Sequence, residues 1–470
     1  MNTKFNGKLS RTLPPPVIFP LLISYMFEHI GISIYWIFFA LDLFDTVSDS
    51  YFNIALVFAI PAMLSVFGTT FLSNLTDKTK KHKLILFLSR LALMIQYILL
   101  LFFNNNLWVV IIILACFGLV TQIYYSVHGA LLTIICPPDR RGQVTSYQVI
   151  FASAGWMIGG GVSDIIKGRF GIEGNLGFAA FFVICAGAIA LLSKTKPWGK
   201  IEDDNIDLEL TIKKSEIAEV DKNSKPGILE KMDVKKKTSF IDILKRRKII
   251  FLLLTLLVLD FGFGPFNSIT SIYFRSIYEN HFQHMFPTPE ELDSYVNWLI
   301  KLSNVIATGI GMIILLSFGR LIDKKGRKPF IILAIAFYPL IYSLMFFFSN
   351  HPWAMFSFYL YPLYALKVPT ANTIMSDLTS EDERARGMSL ITIEQIFAGN
   401  LGAIIGASVA DHFPGDWIPR FVPEGIFIIP LFPVILGTVA LIMAIFFIKE
   451  TNPKAIKNKI EKGVVVVSSD

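Results

Sequence analysis

The sequence predicts an all-α membrane protein of twelve transmembrane helices in two pseudo-symmetric six-helix bundles. Three observations carry this expectation: a composition too apolar for a water-soluble chain, twelve apolar runs of spanning length, and loop residues that repeat halfway along the chain. Of the 470 residues, 53% are hydrophobic and 17% charged, and the mean hydropathy is +0.57. So many long apolar helices would need a polar shell that the chain lacks, which excludes a soluble enzyme. The net charge of +7 would suit nucleic acid, but the cations lie in short connections between apolar runs, so no nucleic-acid partner is expected. Cys116, Cys136 and Cys185 lie in or beside apolar runs with no metal or disulfide spacing.

A hydrocarbon core about 30 Å thick takes roughly 20 apolar residues per helix. After a short tail, 1–16, with Lys4, Lys8, Arg11 and three prolines, runs of that length fall near 17–40, 52–72, 84–104, 107–135, 143–166 and 176–193. The first is too long for a signal-peptide core and has no small-residue cleavage site. Residues 194–248 are rich in Lys, Asp, Glu and Asn and end in Lys245-Arg246-Arg247-Lys248, which reads as a solvated linker with a positive stop. Six further runs lie near 249–274, 297–318, 329–349, 353–376, 388–411 and 425–448, followed by a tail, 449–470. The expected units are thus a bundle over 17–193, the linker 194–248 and a second bundle over 249–448.

An even number of crossings puts both ends on one side, and cytoplasmic loops carry the excess of Lys and Arg. Lys78, Lys80, Lys81, Lys83, Arg140, Arg141, Arg320, Lys324, Lys325, Arg327, Lys328, Arg384 and Arg386 all fall on the side of the termini. The other side has Asp42, Asp45 and Asp49 in its first loop. Both termini are therefore expected in the cytoplasm of an integral cell-membrane protein, with the basic loops meeting anionic lipid.

The halves repeat. Ser73-Asn74-Leu75-Thr76-Asp77-Lys78 after span 2 matches Gly319-Arg320-Leu321-Ile322-Asp323-Lys324 after span 8, with the aspartates 246 residues apart. Arg141-Gly142 and Arg386-Gly387 recur at 245, and Asp164 and Asp411, ending spans 5 and 11, at 247. One offset shared by several features marks a duplicated six-helix unit. On these residues the chain resembles the major facilitator superfamily, whose signature loop G-x-L-x-D-R-x-G-R-R is matched closely from Gly319 to Lys328 and loosely at Ser73–Lys83. Lysine stands at 78 and 324 where arginine is usual, keeping charge without the bidentate fork.

The resemblance implies alternating access, with the signature loops clustered on one face. Asp77, Lys78, Arg141, Asp323, Lys324, Arg327 and Arg386 are the expected cytoplasmic gate, a carboxylate and cations pairing across helix ends. Glu394 in span 11 and Arg90 in span 3 join it as residues near the cytoplasmic ends. Positive-inside topology alone explains the cations, but not an aspartate and an Arg-Gly at the same offset.

An ionisable group inside a span is costly, so each one is a candidate for function. Glu28 and His29 lie in span 1, His128 in span 4, Asp260 in span 7 and Lys367 in span 10, the four helices that line the central cavity in the family. Glu28 and Asp260 correspond when Phe19 is aligned with Phe251. With Tyr35, Tyr125, Asn267 and Tyr364 these residues make the expected substrate and proton-coupling site. A carboxylate near Lys367 or His128 could exchange a proton as the cavity opens. The bland alternative is a structural ion pair. The glycines of spans 5 and 11 read as close-packing positions.

His281 and His284 give an isolated HxxH spacing without further ligands, so no metal site is expected. No nucleotide-binding, zinc-hydrolase or serine-hydrolase motif occurs, and neither an enzymatic activity nor a cofactor is expected. The expected function is secondary active transport of a small organic solute, coupled to protons, by a monomer in the bilayer. An organic-anion symporter and a drug-type efflux antiporter stay open, as does a non-transporting receptor or sensor on the same scaffold.

Overall fold

The computed structural model describes residues 17–48, 50–104, 106–136, 140–193, 239–348, 360–380, 383–412 and 428–452. The tail 1–16, linker residues 194–238 and residues 453–470 lie outside these, as do the side chains of Asn267 and Tyr364. The described chain is helical: α1 Phe19–Thr46, α2 Tyr51–Thr79, α3 His82–Phe103, α4 Leu107–Thr121, α5 Ile123–Ile135 and α6 Arg141–Leu191 form the first half. A short α7, Phe240–Leu244, precedes α8 Arg247–Phe282, α9 Pro289–Lys325, α10 Lys328–Phe347, α11 Lys367–Leu378, α12 Arg384–His412 and α13 Leu431–Phe447.

Among the described residues nine helices are long and apolar enough to cross a membrane. Large side chains such as Phe67, Phe71, Phe102 and Phe446 point outward, while carboxylates, histidines and arginines are buried. That inside-out pattern is what lipid as solvent dictates.

Helix α6 carries spans 5 and 6 in one 51-residue run, broken only at Gly171, whose φ of +69° is open to glycine. The chain reverses there. Gly155 packs on Met26 and His29 and Gly159 on Ile30 and Ser33, so the first arm runs parallel to α1. Gly31 faces Ala179 and Val183, while Ser24 donates to the Ala186 carbonyl at 2.8 Å, so the second arm runs antiparallel. Spans 10 and 12 are shorter in the described residues, as α11 with the 3-10 turn Tyr361–Leu366, and as α13.

The same packing recurs in the second half, where Gly402 meets Phe261 and Gly406 meets Pro265. These glycines lie 247 residues after Gly155 and Gly159, and their partners 232 after His29 and Ser33. The interval of 232 also separates Glu28 from Asp260, so the repeat sets the two carboxylates at equivalent depths of α1 and α8.

Two boundaries differ from the sequence reading. The outer connection expected over 275–296 is mostly helix, because α8 continues to Phe282 and α9 starts at Pro289, where Thr288 caps the Glu291 amide. His281 lies in the last turn of α8 and His284 in the 3-10 turn Gln283–Met285. Within the expected linker, Ser239 and Asp242 form a reciprocal capping box that starts α7.

Candidate functional site

Ionisable side chains in the spans gather into two clusters, one in each half. In the first, Glu28 on α1 is fully buried and ion-paired with Arg90 on α3. Arg90 also donates to the Thr121 carbonyl and lies over the Tyr124 ring, 4.1 Å from its centroid. Beside it, Tyr25 stacks on His128 at 4.5 Å and touches His29 at 4.3 Å, and His29 meets Tyr125 at 6.2 Å. His128 is held at both nitrogens, by the Leu21 carbonyl at 2.9 Å and the Gln148 amide at 3.0 Å. Arg90 is thus placed with Glu28 in the bundle interior and not with the gate.

In the second cluster Asp260 on α8 is ion-paired with Lys367 on α11, both almost fully buried. Glu394 on α12 faces them and interacts with Asp260 and Lys367. The sequence reading groups Glu394 with the gate; its charged neighbours here are those of the span cluster. Among the described residues neither Glu394 oxygen has a hydrogen-bond donor, and Asp260 Oδ2 and Glu28 Oε2 have none either. Among the described residues each ion pair joins two residues of one half, so Glu28 and Asp260 have separate counter-ions and not a common one. Tyr35 is brought to neither; it packs in the core against Phe39 and Tyr97. Asn267 and Tyr364, expected here, have side chains outside the described ones.

The halves meet at both ends. On the face with the basic loops, Asp323 at the end of α9 accepts the Gly142 and Gln143 amides at the start of α6, at 3.1 and 3.0 Å. Asp77 at the end of α2 accepts the Arg386 amide at 3.2 Å and its Nε at 2.9 Å, at the start of α12. Each aspartate therefore sits at the positive end of a helix from the other half. A Cβ on Gly142 would come within 2.7 Å of Asp323 Oδ1, and one on Gly387 within 2.6 Å of Thr379, a steric reason for glycine after each arginine. Asp377, which sequence reading does not single out, takes Arg327 at 2.7 Å and Arg141 at 3.5 Å. Lys78 and Lys324 are exposed at the rim.

On the opposite face Asp411, ending α12, accepts Ser50 Oγ at 2.8 Å and the Tyr51 and Phe52 amides at 3.1 and 2.9 Å. Lys301 donates to Asp164 at 2.6 Å and Arg275 to Asp45 at 2.9 Å. Helices α2 and α12 thus cap each other, Asp77 at one end and Asp411 at the other. The sequence shows Asp164 and Asp411 as a repeated pair; their partners come from helix placement, which no local motif encodes.

A sequence model described as Major Facilitator Superfamily matches residues 21–365 and 293–469. Solved structures share the fold. The human organic anion transporter MFSD10 (TETRAN) aligns with TM-score 0.64 at 12% identity, covering 92% of this chain and 100% of that one. The proton:xylose symporter XylE gives 0.62 at 14%, over 93% and 96%, and the nucleoside transporter NupG 0.58 at 11%, over 91% and 99%. No curated protein matches.

Proposed function

The chain belongs to the major facilitator superfamily, and on that premise we propose that it is a secondary active transporter moving a small organic solute by rocking its halves, driven by protons. The observation that carries this reading is the closure of both ends by contacts between the halves. Asp323 and Asp77 bridge them on one face, and Asp411, Asp164 and Asp45 on the other. Each bridge is a few polar contacts at helix ends, which water can replace, so one end can open while the other stays shut. The basic face is the cytoplasmic one in this reading, with bundles 17–193 and 249–448 joined by the linker 194–248.

Buried charge supplies the coupling. Asp260 and Lys367 neutralise each other while closed, and an opened cavity would let solute or proton compete for either partner. Lys367 would suit an anionic solute and Asp260 a cationic one. The experiment is flux of a broad solute panel in proteoliposomes under an imposed pH gradient. Solute accumulation against its gradient supports the reading, and binding without any flux would replace it with a receptor on the same scaffold.

A further inference from the structure

We propose that Glu394 is a proton-binding site, neutral while both ends are closed and ionised when the cavity opens. Glu394 is 6% exposed, lies deep in α12, and has no hydrogen-bond donor at either oxygen among the described residues. Its charged neighbours are Asp260 from α8 and Lys367 from α11. Ser126 of α5, bonded to Thr392 at 2.9 Å, adds a hydroxyl near this stretch and no charge. Two carboxylates thus face one ammonium. With Lys367 already paired to Asp260, an ionised Glu394 would be a second buried anion without a cation of its own, which burial strongly disfavours. Glu394 and Asp260 are within reach of one another, and two acids form a hydrogen bond only if one holds a proton.

The halves differ here in a telling way. On α6, the helix that α12 repeats, the buried side chain beside the first cluster is Gln148, a neutral amide that supports His128; on α12 the second cluster meets an acid, Glu394. On opening, water reaches Glu394 and accepts its proton as the carboxyl O–H breaks. The carboxylate left behind then competes with Asp260 for Lys367, and the proton leaves as hydronium to bulk. Closure reverses the step.

The proton's presence stands on the geometry alone; what its release drives rests on the transporter reading. Infrared difference spectroscopy of the purified chain near neutral pH reads the C=O stretch of protonated carboxyl groups without needing the solute. Glu394→Gln should remove one such band, and Asp260→Asn should remove the same band, because Glu394 then becomes the counter-ion of Lys367. A spectrum unchanged by Glu394→Gln overturns the proposal. So does a band that survives Asp260→Asn, which stays informative if Glu394→Gln fails to fold. In proteoliposomes Glu394→Gln should keep solute exchange while losing its response to the pH gradient. If the band behaves as expected but no solute moves, the proton site stands and the transporter reading falls. If solute accumulates along the pH gradient while the band is indifferent to Glu394, the transporter reading stands and the proton site falls.

Discussion

Asp323→Ala should open the face that carries the basic loops, and the structure sets the size of the effect. Asp323 accepts two backbone amides at the start of α6, at 3.1 and 3.0 Å, and has Arg327 at 3.9 Å. Hydrogen bonds to a charged group contribute about 1.5–3 kcal/mol each when protected, and a charge at a helix end roughly 0.3–1 kcal/mol more. Water can hydrate the freed amides once the ends part, so the net loss to the closed state is about 2–4 kcal/mol. That is roughly a 30- to 700-fold shift in the equilibrium between closed and open. Spin labels at Lys78→Cys and Lys324→Cys, both exposed and on opposite halves, would report it by pulsed dipolar distance measurement after Cys116 and Cys185 are replaced. The variant should add a longer distance that dominates the distribution, and Asp323→Asn should give a smaller shift because one amide oxygen still accepts. An unchanged distribution in Asp323→Ala would refute the argument that this carboxylate holds the halves together.

Other perturbations follow from the same contacts. Asp411→Ala removes three donors' acceptor at the start of α2 and should open the other face, read as a longer distance between labels at Thr46→Cys and His412→Cys while the Lys78–Lys324 distance stays short. Gly142→Ala drives a Cβ toward Asp323 and should weaken the basic face by about 1–3 kcal/mol, shifting the Lys78–Lys324 distances in the same direction as Asp323→Ala. Arg90→Met leaves Glu28 buried without its counter-charge and should cost about 3–5 kcal/mol, seen as a lower Tm in detergent. Adding Glu28→Gln should recover most of that loss; a double variant as unstable as the single would mean that Arg90 acts by packing on Tyr124.

The fold and the residues that close the basic face are legible in the sequence because both are written in local patterns. Apolar run length fixes the spans, and Asp77, Asp323, Arg141 and Arg386 stand out because loops at the ends of duplicated helices recur at one offset. Pairing inside the bundle is harder to read. Glu28 joins Arg90 rather than Lys367 or His128 because helix rotation and neighbour order choose the partner, and neither shows in a single helix's sequence. The setting of Glu394 is hidden for the same reason: its neighbours, Asp260 and Lys367, are set by how α12 packs on α8 and α11, which distance from the helix's basic start does not give. Tyr25 and Gln148, which hold the two histidines, carry no charge and so give no signal. The early start of α9 is foreshadowed by Thr288-Pro289-Glu290-Glu291, a cap, a proline and an acidic first turn.

The central claim is that the buried Asp260–Lys367 pair couples solute movement to protons. Its most direct test compares Asp260→Asn with the unaltered protein in proteoliposomes, measuring proton-gradient-driven accumulation and solute exchange at equal pH on the two sides. Accumulation should disappear while exchange persists, since the amide keeps the shape of the site and Glu394, then the counter-ion of Lys367, stays ionised and takes up no proton. Undiminished accumulation against a gradient in Asp260→Asn would contradict it.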